Sequence, residues 1–421
     1  MQINSPIYYS FKNDSPYTNE AKWVMNVLSS YAGIELINRQ EEKNITIEIN
    51  SVFFDKVYSK SAISEAFLND EMEIILSDGS IDFISTIFYF LNCLWEREQN
   101  ATLDHWGRSD FSGSIWDKFQ HKRPIKKVNQ LFDSVLKEWG IPLPKKPSSV
   151  FLSHDIDVVY GAYLEDGMAL AKKGQYGKML KQIKDHFMKG PQWFNFRTIA
   201  NLELKYGLNS TFFWIPLKGK VEGVGKNADY SLKNTAISTE INWLKNQGFS
   251  HGIHKSIASS SLKEEVALMQ MDILSNRYHY LKFNFDHLKK EMNDAGLLMD
   301  ASLGYAEVPG YRNGYSLPFI PFDLENRTPC RFIEVPLTIM DGTFSKYQKS
   351  SGKEAFAQIS DFIDENEQNC VISILWHNSH FTDFKYEGYP EVYEQVLKII
   401  QVKSLKSVSP KELIERYLKD A

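Results

Sequence analysis

The sequence lacks the features that mark several protein classes. Only three of its 421 residues are cysteines, Cys93, Cys330 and Cys370, far apart and with no Cys-x-x-Cys pair, which argues against a disulfide framework and a cysteine-rich zinc site. Basic residues are not in excess either. The formal net charge is -5 and the Lys and Arg residues are scattered, so there is no electrostatic footprint for nucleic acid. Long apolar runs are missing. The longest, Ile81 to Trp95, contains Asp82, Ser85 and Asn92 and falls short of the ~20 residues needed to span a bilayer, so it reads as a buried helix and no integral membrane segment is expected. Residues Met1 to Pro6 show no basic stretch leading into an apolar one, so no secretory signal is visible and a reducing cytoplasm is the expected location. Repeats and low-complexity segments are absent. Apolar and aromatic side chains are plentiful, at 43% and 14%, enough for substantial cores, and the length favours two domains.

A boundary falls at Gly140-Ile141-Pro142-Leu143-Pro144-Lys145-Lys146-Pro147, where prolines forbid regular helix. Residues 1–146 are expected to form a smaller N-terminal α+β domain, with a strand over Asn44 to Ile49, a long helix near Ile81 to Arg97 and another over Ile125 to Trp139. Asp104-His105-Trp106-Gly107-Arg108 reads as a structural turn. From 147 to 421 strands and helices alternate, as a parallel α/β sheet or barrel requires. Strands are expected at Val150 to Ser153, Ser210 to Ile215, Gly248 to His254, Phe332 to Ile339 and Val371 to His377. Helices are expected at Phe196 to Tyr206, Thr239 to Asn246, Leu262 to Arg277, Phe285 to Ala295, Lys353 to Glu365 and Tyr389 to Val402.

Chemistry concentrates at the ends of those strands. In Ser153-His154-Asp155-Ile156-Asp157 two carboxylates at i and i+2 close an apolar run, so both project to one side beyond a buried strand, where open α/β folds build active sites. Two close carboxylates seldom stay both ionised and unpartnered, so one is expected to bind a cation while the other does proton chemistry. Six of the ten histidines, His154, His251, His254, His279, His377 and His380, fall in segments resembling strand ends or the loops after them. Strands ending in Asp and His groups point to one metal-assisted site.

The order Leu-Ser-His-Asp-Ile-Asp, Gly-Ile-His-Lys-Ser, Asn-Arg-Tyr-His-Tyr-Leu, Gly-Tyr-Arg-Asn-Gly and Leu-Trp-His-Asn resembles the polysaccharide deacetylase superfamily, the NodB-homology or carbohydrate esterase family four fold. It is most similar to a bacterial subgroup with an extra N-terminal domain, often found with surface-polysaccharide genes. The resemblance covers about residues 150 to 380 and implies a distorted (β/α) barrel. It implies Asp155 as general base, Asp157 and His254 as metal ligands, Arg277 as the partner that orients the base, Tyr280 as a backbone oxyanion donor and His377 as general acid. Most relatives carry a second histidine four residues after the first, where this chain has Ala258. His279 or His251 could supply that ligand, or waters could; His279 is the expected one. Arg312, Trp376 and Asn378 are expected to contact the substrate, although Arg312 could equally pair with Asp300 or Glu307.

The implied activity is metal-dependent removal of an N-acetyl group from an amino sugar, with a divalent ion, zinc by expectation, as cofactor. The substrate would be an N-acetylated sugar, a sugar nucleotide or a lipid-linked glycan in surface polysaccharide metabolism. Hydrolysis of another non-peptide C–N bond, or sugar binding without catalysis, are the alternatives.

Overall fold

In the second half of the chain the apolar runs become strands buried on both faces. The computed structural model describes residues 6–39, 45–59, 67–97 and 102–418. Eight strands form one parallel, curled sheet: β1 (Ser149–Ile156), β2 (Ser210–Trp214), β3 (Ser250–Lys255), β4 (Ser275–Tyr278), β5 (Met299–Asp300), β6 (Ile333–Glu334), β7 (Ile339–Met340) and β8 (Val371–Leu375). Their spatial order is β6-β5-β4-β3-β2-β1-β8-β7, and Lys406–Ser407 adds a ninth strand beside β1. Every residue of β1 is buried, which is why its sequence reads as a continuous run rather than an alternation. The fold is thus α/β, with the distorted parallel barrel expected from the sequence.

The expected strand from Phe332 to Ile339 is two strands at opposite edges of the sheet. Pro336 removes a ladder donor in the middle of the run. Before it, β6 pairs with β5; after it, β7 pairs with β8. Between them Val335 N–H donates to the Asp300 carbonyl at 2.9 Å, Leu337 N–H to Leu303 at 3.0 Å and Thr338 N–H to Ser373 at 3.2 Å. This one segment bridges the two edges of the curled sheet, which among the described residues do not pair with each other.

The expected helix from Leu262 to Arg277 is also corrected. Only Leu262–Val266 is helical, and Arg277 lies in β4. Ser275-Asn276-Arg277-Tyr278 has no apolar run, yet all four residues are buried, because polar partners rather than packing hold the strand: Asn276 Nδ2 donates to Asp300 Oδ1 at 2.6 Å. A helical hairpin, α1 (Ala162–Lys172) and α2 (Tyr176–Lys189), follows β1 without having been expected. The remaining expected helices are present within a few residues of their bounds, at Phe196–Lys205, Thr235–Asn246, Phe285–Ala295, Gly352–Glu365 and Tyr389–Val402.

The N-terminal part has a three-stranded parallel sheet, Leu36–Asn38, Ile7–Phe11 and Ile45–Ile47 in that order, with helices Thr18–Ala32, Phe83–Leu91 and Lys127–Glu138. Asn44, the expected first residue of one strand, lies outside the described residues. The helix expected to run to Arg97 is shorter: Asp82 caps its start by accepting from Ser85 N–H at 2.9 Å, and a 3-10 turn takes over after Cys93, whose φ is 48°. Ile84 to Leu91 are all buried, as expected of that run, and among the described residues no helix is long and apolar enough to cross a membrane.

A single apolar core runs across residue 146. Trp23 and Phe88 pack against Phe322 with ring centroids 5.3 and 5.5 Å apart, and Trp23 Nε1 donates to the Ile320 carbonyl at 2.9 Å. Asn129 Nδ2 donates to Ser316 Oγ at 2.7 Å.

Candidate metal centre and active site

Because the barrel strands are parallel, their C-terminal ends share one rim, and the chemistry-bearing residues leave from it. Asp155 and Asp157 come from β1, His254 from β3, Arg277 and His279 from β4 and the turn after it, Asp341 from the end of β7 and His377 from the end of β8. His254 Nδ1 lies 2.8 Å from the Arg277 carbonyl. A carbonyl only accepts, so Nδ1 carries the proton and the Nε2 lone pair is turned into the cluster.

Asp157 Oδ1 lies 3.3 Å from His254 Nε2 and 3.5 Å from His279 Nε2. Three ligands bound at ~2.1 Å around a tetrahedral cation are separated by about 3.4 Å, so these spacings suit one ion held by Asp157, His254 and His279. The ligand atoms all lie within 4.8 Å of one another, and Asp157 Oδ1 is buried without a hydrogen-bond partner, as a carboxylate oxygen awaiting a cation would be. Burial pushes His279 below its ordinary value, which favours the neutral imidazole that a metal requires. Burial alone would also lower His254, but Asp155 and Asp157 outweigh it and raise it. Two carboxylates facing one imidazole call for positive charge at that spot.

Asp155 is buried and oriented from behind. Its Oδ1 accepts from Arg277 Nη1 at 3.0 Å, while Arg277 also donates to Ser153 Oγ and the Ala301 carbonyl, each at 2.8 Å. Its Oδ2 faces His254 Nε2 at 3.4 Å.

His377 is held on the other side of the cleft. Its Nδ1 donates to Asp341 Oδ1 at 2.7 Å and its backbone N–H to Asp341 Oδ2 at 2.6 Å, which turns Nε2 toward Asp157 Oδ2, 3.7 Å away. Burial alone would lower His377, but the Asp341 carboxylate outweighs it and raises it. His380 Nδ1 lies 3.0 Å from Asp341 Oδ2, and burial pushes His380 down to about 4. Asp341, His377 and His380 are also close enough to hold an ion, but Asp341 already accepts from both the backbone N–H and Nδ1–H of His377. Asp341 and His380 were not expected as site residues. Asp341 ends an apolar strand just as Asp155 does, and it was hidden because the expected strand stopped at Ile339.

The turn after β4 is conformationally unusual. Tyr280 and Leu281 have φ of 59° and 53°, a left-handed conformation that non-glycine residues adopt at a cost. Tyr280 stacks on His279 with centroids 4.0 Å apart and on Trp106 at 4.3 Å. Arg108 donates through Nη1 to the Tyr280 carbonyl. Asp104 to Arg108 is the structural turn expected, with Asp104 Oδ1 accepting from Trp106 and Arg108 N–H at 2.8 and 3.0 Å, but it also braces the candidate ligand His279 through Tyr280.

Three expected substrate contacts do not reach the cleft. Arg312 is buried, gripped by Glu96 through Nε at 2.8 Å and Nη2 at 2.7 Å, and donates Nη1 to the Gly304 carbonyl at 2.9 Å; its partner is neither Asp300 nor Glu307. Trp376 is fully buried against Tyr389 and Tyr393. Asn378 is buried and donates Nδ2 to the carbonyls of Val158 and Trp193 at 2.9 and 2.8 Å. His251 is not a ligand either: its Nδ1 accepts from Trp214 Nε1 at 3.0 Å, and burial pushes it down to about 4. His154 is a core residue between the Trp376 carbonyl at 2.6 Å and Glu203 at 2.8 Å.

Fold and site together define a parallel (β/α) barrel with an Asp-His-His cluster suited to a cation, a carboxylate-arginine pair and a histidine-carboxylate pair on its C-terminal rim. No protein-family model matches the sequence, and no curated protein sequence is similar to it. Solved structures similar to this chain include polysaccharide and peptidoglycan deacetylases. A Mycobacterium smegmatis protein assigned as a polysaccharide deacetylase is 10% identical, with the match covering 65% of this chain and 92% of that one at a TM-score of 0.40. A variant of the peptidoglycan deacetylase PdaC from Bacillus subtilis is 10% identical over 64% of this chain and 92% of that one, with a TM-score of 0.33. BA3943, a CE4 family pseudoenzyme from Bacillus anthracis, is 10% identical over 66% and 69%, with a TM-score of 0.31.

Proposed function

We propose that this protein is a metal-dependent hydrolase that removes the N-acetyl group from an amino sugar. The observation that carries this reading is the convergence of the Asp157, His254 and His279 cluster with an oriented carboxylate, Asp155, on one side and an oriented imidazole, His377, on the other. Asp157, His254 and His279 would hold a divalent cation, with zinc fitting the one-oxygen, two-nitrogen donor set; when bound, it supplies Lewis-acid polarisation of the acetyl carbonyl and of a water. Asp155 Oδ2 takes the proton of the attacking water, while Arg277 fixes the carboxylate from the far side through Oδ1. The Tyr280 N–H, in its left-handed turn, is assigned to the developing oxyanion. His377 donates the proton on Nε2 to the departing amine, and Asp341 holds the ring so that Nε2 faces the cleft. The C–N bond breaks, a hydroxyl is gained by the acyl carbon, and acetate and a free amine leave.

An N-acetylated sugar joined to a nucleotide or a lipid, from surface polysaccharide metabolism, is the proposed substrate. The test is acetate release from a panel of N-acetylated sugars, sugar nucleotides and glycolipids, beside metal analysis of the purified protein. One divalent ion per chain, and activity lost to a chelator and restored by zinc, are expected. Protein that carries no divalent ion and takes up none from solution would sink the proposal.

A further inference from the structure

The hairpin of α1 and α2 is built inside out. Its second helix is amphipathic, with Tyr176, Leu180, Ile183 and Phe187 spaced i, i+4, i+7 and i+11 along one stripe, but the only residue of that helix that is buried is the polar Gln182. In α1, Ala162, Asp166 and Leu170 face the barrel, which leaves Leu164 and Met168 on the opposite side. Leu164, Met168, Tyr176, Leu180, Phe187 and Met188 are between 54% and 78% exposed. The helices pack on each other through Tyr163 and His186, whose rings lie 4.5 Å apart, and through the close approach of Gly167 to Gln182, so the two apolar stripes lie side by side facing solvent. A contiguous apolar face of this kind marks an interaction site.

The charge around that face says what it fits. Residues 162–190 contain six lysines against Glu165, Asp166 and Asp185, a net of +3 in a chain whose net charge is -5. Lys172, Lys173, Lys181 and Lys184 make no ion pair among the described residues. An exposed stripe of Leu, Phe, Tyr and Met flanked by lysines, on a helix of low overall hydropathy, is the composition that settles into the headgroup region of an anionic bilayer. We infer that the hairpin docks this protein on an anionic lipid surface. A second copy of the chain would place lysines against lysines, which disfavours it.

Docking there would bring the candidate site near the bilayer. The hairpin begins five residues after Asp157, and Asp166 and Trp193 both bond Thr382 Oγ1 at 3.3 Å, two residues beyond His380. Lys385 and Glu165 tie the same segments together at 3.0 Å. If the proposed hydrolysis is right, this arrangement suits an N-acetylated glycan carried on a lipid; the docking itself does not depend on that reading.

The experiment is sedimentation of the full chain with phosphatidylcholine vesicles, with and without phosphatidylglycerol, beside light scattering of the protein alone. Binding is expected only with the anionic lipid and should weaken as salt is raised. Leu180→Glu with Phe187→Glu should lower vesicle affinity by about tenfold or more while leaving the unfolding temperature and any acetate release from a water-soluble substrate unchanged. Lys181→Gln with Lys184→Gln should weaken binding less. Equal binding to both vesicle types, binding to neither, or a dimer in solution that Phe187→Glu dissolves would overturn the inference.

Discussion

Asp166 offers a test whose magnitude and sign both come from the structure. Its side chain is fully buried in α1; Oδ1 has no hydrogen-bond partner and Oδ2 has a single long one, from Thr382 at 3.3 Å. Burial pushes its carboxyl from 3.8 up to about 7, with Thr382 and Lys385 pulling weakly the other way. A folded value above the unfolded one means that the folded state retains a proton the unfolded chain gives up. Folding therefore carries no ionisation penalty below about pH 4, loses stability as the pH climbs from about 4 to about 7, and stays at the lower level above that. The difference between 3.8 and about 7, at ~1.36 kcal/mol per pH unit, sets a ceiling of about 4 kcal/mol. Asp166→Asn keeps the size and the neutral state, so it should stabilise the protein by about 2–4 kcal/mol at about pH 8 and by almost nothing at about pH 4. Urea unfolding of both proteins at those two pH values measures the difference. The same stability difference at both pH values, or a less stable variant at the higher one, would refute the assignment of Asp166 as a buried, proton-retaining carboxyl.

Other perturbations separate the roles proposed for the site. Asp155→Asn should leave the divalent ion bound and abolish turnover, whereas His254→Gln and His279→Gln should each weaken zinc affinity by at least ~100-fold in a chelator competition; equal metal loss in all three would show that the roles are misassigned. Asp341→Asn should lower kcat by about 10²–10⁴-fold with little change in KM, because His377 would lose the carboxylate that orients its ring and favours its doubly protonated form; a variant with normal kcat would remove the pair from the mechanism. A chain beginning at Pro147 would expose Phe322, Ser316 and Arg312 where Trp23, Asn129 and Glu96 now cover them, so it should aggregate, and a soluble, cooperatively unfolding fragment would show that the barrel stands alone.

The barrel was legible where strands are apolar and invisible where they are not. β1 and β8 are apolar runs that lead into Asp155 and His377, β2 is a short apolar run, and β3 follows Gly248-Phe249 and carries His254, so composition and spacing suffice to find them. In β4 the burial is of Asn276 and Arg277, whose partners Asp300, Ala301 and Asp155 lie 24 and 122 positions away, so nothing local marks the segment as a strand. The run around Pro336 looked like one strand because periodicity cannot tell which neighbour each half will find.

The sequence by itself determined the fold class and, with the family resemblance, six of the residues that meet at the cluster, Asp155, Asp157, His254, Arg277, His279 and His377. Asp155, Asp157 and His377 close apolar runs, and a strand buried on both faces places an ionisable side chain most readily where it emerges from the sheet. Tertiary structure alone decided the partnerships. Nothing local says that Arg312 will meet Glu96, 216 positions away, that His251 will turn to Trp214 and away from the cluster, or that Asp341 will face His377 and His380. The same holds for the hairpin, whose apolar stripe would read as a core face from spacing alone and proves to be the exposed one. Spacing fixes which side chains share a face of a strand or helix, but what that face meets depends on the order in which distant strands assemble.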